Sequence, residues 1–214
     1  DPASCIGHGA CRTACPSGAI SLVFGTATRG IDIPQVTPDF QSNVPGLFIA
    51  GELGGMGLIA NAIEQGRQAI QSIRRLDGLG RDGVWDVIIV GSGPAGIAAS
   101  LAAKEARRRY LTLEQDTLGG TVAHYPRGKL VMTRPARLPL AGKMRFRRVR
   151  KERLVAYWQQ VASDHRLAIR HGTRVEAIDA REWGFDVVTT VGTQRARAVL
   201  LATGRRGSPR HLGV

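Results

Sequence analysis

Residues Trp85 to Gln115 read WDVIIVGSGPAGIAASLAAKEARRRYLTLEQ, and no other stretch limits the fold of this chain as tightly. The continuous apolar run Val87 to Val90 suits a parallel strand buried on both faces. Gly91-Ser-Gly93-Pro94-Ala95-Gly96 follows, then a small-residue run from Ile97 to Lys104 with helical character. A second apolar segment, Tyr110 to Leu113, ends on Glu114 and Gln115. Strand, glycine turn, helix, strand and acid in this order are the context that gives a G-x-G-x-x-G match its meaning. Gly91 permits the tight turn, and Gly93 lets backbone N–H groups approach a pyrophosphate at the helix N-terminus. Gly96 lets helix and strand pack closely. Glu114, about 20 residues on, is placed to accept hydrogen bonds from a ribose 2′-hydroxyl. The expectation is an α/β fold with a Rossmann-like dinucleotide site.

The segment before this stretch repeats part of the pattern. Val44-Pro-Gly-Leu-Phe-Ile-Ala-Gly51-Glu52 reads as a turn, a buried strand and a glycine stop ending in an acid. A helix is expected from about Leu58 to Arg74, with Ile59, Ile63, Ile70 and Ile73 at helical spacing. A carboxylate and free N–H groups at a helix start suit hydroxyls and anions, so Gly51 and Glu52 are candidates for a second contact to the same ligand. Downstream, Leu118-Gly119-Gly120-Thr121 forms another turn after Glu114. Residues 151–163 form an amphipathic helix with Leu154, Trp158 and Val161 on one face. Short strands are expected near 129–133, 167–170, 173–178 (which contains Val175), 185–190 and 196–201, the last closing on Ala202-Thr203-Gly204. Residues 19–24 read as a further short strand, and 77–84, polar and glycine-rich, as a linker.

All three cysteines lie in the first 16 residues. Cys5, His8, Cys11 and Cys15 are spaced C-x2-H-x2-C-x3-C-P, against C-x2-C-x2-C-x3-C-P in bacterial iron–sulfur runs. Soft thiolates at close spacing suit iron, and three cysteines would leave one without a disulfide partner. The reading is a 4Fe-4S or 3Fe-4S cluster, present or ancestral. Zinc held by three cysteines and a histidine, or free thiols, are the alternatives.

Charge narrows the partners less. The chain of 214 residues carries a formal net charge of +13, concentrated at 107–109, 143–153 and 195–210. No recognisable nucleic-acid motif holds these residues. A solvated basic surface is the simplest reading, and a docking face for an acidic partner or for phosphate groups is the other. No run of 18 apolar residues predicts a membrane helix. The N-terminus lacks a signal-peptide pattern, so a cytoplasmic location is expected. The absence of an initiator Met and a start inside a motif led us to expect a fragment or processed chain.

Taken together, GSGPAG at Gly91 to Gly96 with Glu114, LLATG at Leu200 to Gly204 and VPGLFIAGE at Val44 to Glu52 make the chain resemble FAD-dependent pyridine-nucleotide oxidoreductases of the thioredoxin-reductase type. It resembles most the large members that carry a ferredoxin segment. The resemblance implies FAD as cofactor, with Glu114 on the adenosine ribose and Gly51-Glu52 on the ribityl–phosphate portion. It also implies two departures. The AGE segment precedes the glycine fingerprint where the family has it afterwards, as in a permuted domain or a join of two units. Nor does a second G-x-G-x-x-G follow, so NAD(P)H would need a separate domain. No Cys follows Gly120-Thr121, which excludes thiol–disulfide exchange at that position.

The expected organisation is therefore a partial ferredoxin-type iron–sulfur segment at 1–24 and a C-terminal-type half of an FAD domain at 25–76. A linker at 77–84 leads to an N-terminal-type Rossmann half at 85–214, containing a small β-meander. The expected activity passes electrons between NAD(P)H, flavin and an iron–sulfur centre. A redox partner protein is expected, and homodimerisation is left open. Thr121, His124 and Tyr125 are the candidates nearest the reacting ring. The competing readings are a flavin-free NAD(P)-binding dehydrogenase, a basic non-catalytic binding module, and a chain without turnover of its own.

Overall fold

The computed structural model describes residues 9–16, 34–54, 57–131, 135–146 and 148–204. In chain order the elements are α1 (Ala10–Thr13), β1 (Leu47–Ile49), a 3-10 turn (Glu52–Gly54), α2 (Ile59–Ile73), β2 (Trp85–Val90), α3 (Pro94–Glu105) and β3 (Tyr110–Leu113). A second 3-10 turn (Gly120–His124) leads into β4 (Leu130–Val131), β5 (Ala136–Leu138), β6 (Gly142–Met144) and β7 (Val149–Arg150). Then come α4 (Lys151–Asp164), β8 (Ile169–Arg170), β9 (Val175–Arg181), β10 (Gly184–Thr189) and β11 (Gly192–Leu201). The strand expected at 19–24, and Cys5 and His8, lie outside the described residues.

A parallel sheet runs β1-β11-β2-β3-β8. The ten-residue β11 serves two neighbours on one side. Its N-terminal half pairs antiparallel with β10, and its C-terminal half pairs parallel with β1. β9, β10 and β11 form the expected meander. Because side chains alternate across a strand, each strand feeds two cores. Val87, Ile89, Ala198, Leu200 and Phe48 face α2 and α3, while Ile88, Val199, Phe185 and Val187 face the opposite side.

Helix α3 is mostly buried, and seven of its twelve residues are Ala, Gly or Ser. Small side chains let it lie between the sheet and α2 on one flank, and against α4 and the short ribbons on the other. The contact with α2 is tightest at Gly66, where a Cβ would lie 2.1 Å from the Ala95 carbonyl oxygen. Trp158 of α4 is fully buried, as its place on the apolar face predicts.

Residues 77–84 connect α2 to β2 and are tied down at several points. Gly80 N–H donates to Asp86 Oδ1 at 2.6 Å, and Arg197 Nε donates to the Asp77 carbonyl at 2.7 Å. Asp86 is buried and also accepts from the Arg109 N–H. The two ribbons, β4 with β7 and β5 with β6, are where the sequence reading saw only a short strand and a charged run.

Candidate functional site

The C-terminal ends of β1, β11, β2 and β3 lie side by side, and the backbone ladder continues past each end. Ala50 N–H donates to Leu201 O, Ala202 N–H to Val90 O, and Gly91 N–H to Leu113 O. This carries Gly51, Ala202, Gly91 and Glu114 to one edge of the sheet. Gly91 has φ +104°, and a Cβ there would lie 2.6 Å from the Ala202 carbonyl oxygen. The fingerprint turn and the ATG turn can approach so closely only over a glycine. Gly96 packs in the same way on Gly91, where an added Cβ would fall 1.9 Å from its carbonyl oxygen.

An open cleft of about 190 Å³ lies along this edge. At one end it is lined by Val90, Glu114, Gln115, Thr173, Arg174 and Val175. Gly91, Gly93, Pro94, Ala95, Ala202, Thr203 and Gly204 line its middle. At the other end stand Gly51, Glu52, Leu58, Thr121, Val122 and Tyr125. The three sequence segments that flank one another only distantly thus form one wall. Gly120 completes it, because Gly119 N–H donates to the Ser92 carbonyl at 3.0 Å and holds that turn on the fingerprint. With Gly93 and Gly120 facing each other, a Cβ on Gly120 would sit 3.2 Å from the Gly93 Cα.

Three expected residues lie elsewhere. Gly96 lies beneath the cleft, in the α3 packing just described. Gly119 lies behind it, against Val155 and Trp158. His124 does not line the cleft. It is exposed, with Nε2 3.1 Å from Asp116 Oδ2, because it ends a 3-10 turn whose inward side is taken by Val122. Thr121 and Tyr125 do line it.

Glu114 is 7% exposed, and both its oxygens are held. Oε2 accepts from the Ser92 N–H and Oγ–H, each at 2.8 Å, and Oε1 accepts from the Asp116 N–H at 2.9 Å. A carboxylate has about four lone-pair sites, so acceptor capacity remains for a ligand hydroxyl. Arg174 pairs with Glu176 at 3.0 Å beside the same end. No side chain caps α3 at Gly93, so the first N–H groups of that 12-residue helix face the cleft without a side-chain acceptor. A backbone-lined cradle, uncapped N–H groups and a carboxylate at one end fit the pyrophosphate and ribose of a dinucleotide.

Sequence reasoning missed Leu58, Thr173 and Arg174 as cleft residues, and Gln65 and Ser92 as the supports of Gly51 and Glu114. Gln65, buried on α2, accepts the Gly51 N–H at 2.7 Å and orients the AGE turn. Nothing in the sequence set it apart from the other polar residues of α2, Asn61, Glu64, Arg67, Gln68, Gln71 and Ser72.

A family profile described as pyridine nucleotide-disulphide oxidoreductase matches residues 88–214, more than half of the chain. The chain belongs to that family. It is 34% identical over 140 residues to a thioredoxin reductase of Mycolicibacterium smegmatis, covering 61% of this chain and 38% of that one. It is 32% identical over 133 residues to a ferredoxin–NADP reductase of Levilactobacillus brevis, covering 61% and 37%. The chain thus spans less than two fifths of these relatives. Among solved structures, the bacillithiol disulfide reductase of Bacillus cereus shares the fold, with a TM-score of 0.52 at 22% identity over 60% of this chain and 42% of that one.

Among the described residues, no group of His, Cys, Asp and Glu could hold a metal ion. Of the four expected iron ligands, Cys11 on α1 is exposed and Cys15 is partly buried just beyond it, and neither is in a disulfide. No helix among the described residues is long and apolar enough to cross a membrane.

Proposed function

We propose that this cleft binds FAD and that the chain is the flavin-binding part of an NAD(P)H-dependent oxidoreductase. The observation that carries the proposal is the meeting of Gly51-Glu52, Gly91 to Gly96 with Glu114, and Ala202 to Gly204 along one cleft. In this reading Glu114 accepts from the adenosine ribose and the N-terminus of α3 holds the pyrophosphate. Val175 and Gln115 border the adenine, and Glu52 accepts from ribityl hydroxyls. Thr121 and Tyr125 stand at the isoalloxazine end and shield it from water. FAD, when bound, supplies the conversion between a two-electron hydride donor and one-electron carriers. The names of the relatives, thioredoxin reductase and ferredoxin–NADP reductase, support a flavin oxidoreductase as the class.

The parallel pairing of β1 with β11 supports a permuted FAD domain, in which the AGE strand enters the sheet beside the ATG strand although it comes first in sequence. NAD(P)H binding is assigned to a separate domain or partner. The iron–sulfur part of the proposal rests on the spacing of Cys5, His8, Cys11 and Cys15 alone.

One measurement tests both cofactors. Anaerobically purified protein is expected to absorb near about 450 nm as a flavoprotein does, and iron and acid-labile sulfide are measured on the same sample. The variant Gly93→Val places a branched side chain where the pyrophosphate should approach, and its flavin content is expected to fall to background. Unchanged flavin content in that variant would overturn the assignment of the fingerprint. Colourless protein that binds NAD(P)H would favour a flavin-free dehydrogenase.

A further inference from the structure

Residues 127–153 hold 11 of the chain's 30 Lys and Arg but a single acid, Glu152. The two ribbons explain where this charge goes. Leu138, Met144 and Val149 point into the core, and the period-2 alternation of a strand sends their neighbours outward. Arg137, Lys143, Arg145, Arg148 and Arg150 are all exposed. Among the described residues, none of these five enters an ion pair. Arg137 and Lys143 are register partners on β5 and β6 and stand directly opposite. Like charges so placed destabilise a ribbon.

The same two ribbons carry apolar residues that the fold does not use. Leu130 is 61% exposed and is the register partner of Arg150. Leu140, at the apex between β5 and β6, is 46% exposed and has φ +59°. A bulky residue in that region is a backbone outlier, and such strain is commonly found at functional sites. Cations alone would suit a nucleic acid as well as a protein. An exposed Leu beside cations on each ribbon matches a protein interface, which combines apolar contacts with charged ones.

The surface is joined to the cleft. Lys129 Nζ lies 4.1 Å from the centre of the Tyr125 ring, Lys151 Nζ donates to the Ala123 carbonyl at 2.8 Å, and Glu152 accepts the Gly128 N–H at 2.9 Å. Tyr125 itself lines the cleft. A partner seated on the β4–β7 ribbon therefore lies next to the ring end of the proposed flavin site.

We infer that the exposed sides of the two ribbons are the docking surface for a small acidic electron-carrier protein, with carboxylates meeting Arg137, Lys143, Arg145, Arg148 and Arg150 beside Leu130 and Leu140. The class of partner rests on the flavin assignment above, and the surface rests on the charge and the exposed Leu.

The test measures binding of the full chain to two probes, an acidic ferredoxin and a 20-base-pair DNA duplex, by titration at low and at physiological salt. Flavin absorbance and thermal midpoint are recorded for every sample. Ferredoxin binding is expected at low salt, weakening as salt screens it. Lys143→Glu is expected to weaken it about tenfold or more with an unchanged or higher thermal midpoint, because it relieves the Arg137–Lys143 repulsion. Leu140→Ser is expected to weaken ferredoxin binding several-fold and to leave duplex binding unchanged. Absence of ferredoxin binding at low salt, or binding that Lys143→Glu leaves intact, would overturn the inference. So would duplex binding tighter than ferredoxin binding. Flavin content reads the other proposal separately: flavin-loaded protein that fails to bind ferredoxin sinks only the docking surface, and flavin-free protein that binds it through Lys143 sinks only the flavin assignment.

Discussion

Glu114 carries two duties at the residue scale, and two substitutions separate them. Its carboxylate closes the fingerprint turn through Ser92 and Asp116 and also stands at the cleft. Glu114→Ala leaves the buried Ser92 N–H and hydroxyl without that acceptor, which costs about 1–3 kcal/mol for a buried group. Denaturant midpoints are expected to fall accordingly, with flavin content falling too. Glu114→Gln keeps one carbonyl acceptor and the side-chain volume. Its stability is expected to stay within about 1 kcal/mol of the parent, neutral hydrogen bonds being roughly half as strong as charge-assisted ones. Its affinity for FAD, followed by equilibrium titration of the apoprotein, is expected to drop. Equal losses of stability in both variants would assign Glu114 to the fold alone.

At the scale of elements, the α2–α3 contact is the joint on which the site depends. The AGE turn is steered by Gln65 of α2 and the pyrophosphate cradle by the start of α3, so the distance between these helices sets the width of the cleft. Gly66→Ala would place a methyl group 2.1 Å from the Ala95 carbonyl oxygen, and this is backbone that cannot swing away. The helices must separate, at a cost of about 1–3 kcal/mol or more. Thermal unfolding and flavin retention are expected to fall together in this variant. The exposed side of α2 predicts a pH effect. Burial pushes the Glu64 carboxyl up, but its hydrogen bonds with Arg67 and Gln68 outweigh this and hold it below the ordinary 4.5. A lowered folded pKa stabilises fully above 4.5 and loses its effect as pH falls below that value. The difference in thermal midpoint between the parent and Glu64→Gln is therefore expected at pH 7 and to shrink as pH drops below 4.5. The pair is about one-third exposed, so the effect is a small one, screened by salt.

The whole molecule depends on residues on either side of the 77–84 connection. β1 and α2 supply Phe48, Ala62, Ala69, Ile70 and Ile73 to the core that covers Ala95, Ala99 and Ala102 of α3. A polypeptide of residues 77–214 alone would expose that face, and it is expected to bind the dye ANS and to retain no flavin. Adding a peptide of residues 34–76 is expected to reduce dye binding, since the two share a parallel pairing and an interhelical contact. A soluble, flavin-loaded 77–214 polypeptide would show that β1 and α2 are dispensable.

Local patterns carried much of this fold. The strand–turn–helix–strand unit was legible because each step has a short-range cause: β2 in its apolar run, α3 in its small residues after a glycine turn, β3 in a run ending on an acid. The meander was legible from alternation in 175–201, and α4 from the spacing of Leu154, Trp158 and Val161. The ribbons at 136–150 were hidden because strands of two or three residues are too short to show a period, and their charge masked the buried Leu138, Met144 and Val149. His124 was drawn toward the site by its neighbours in sequence, whereas the direction of a side chain on a 3-10 turn depends on which neighbour fills the interior. Gln65 was invisible because it acts on the site only through the Gly51 N–H, and Arg174 because the bond from Thr173 N–H to the Glu114 carbonyl brings it to the cleft. The sequence by itself determined the chemistry of three glycine-and-acid segments, since backbone approach and carboxylate acceptance are properties of residue types at fixed spacing. The tertiary structure alone decided how these segments come to share one cleft, because parallel pairing of β1 with β11 is a long-range contact that no local spacing encodes.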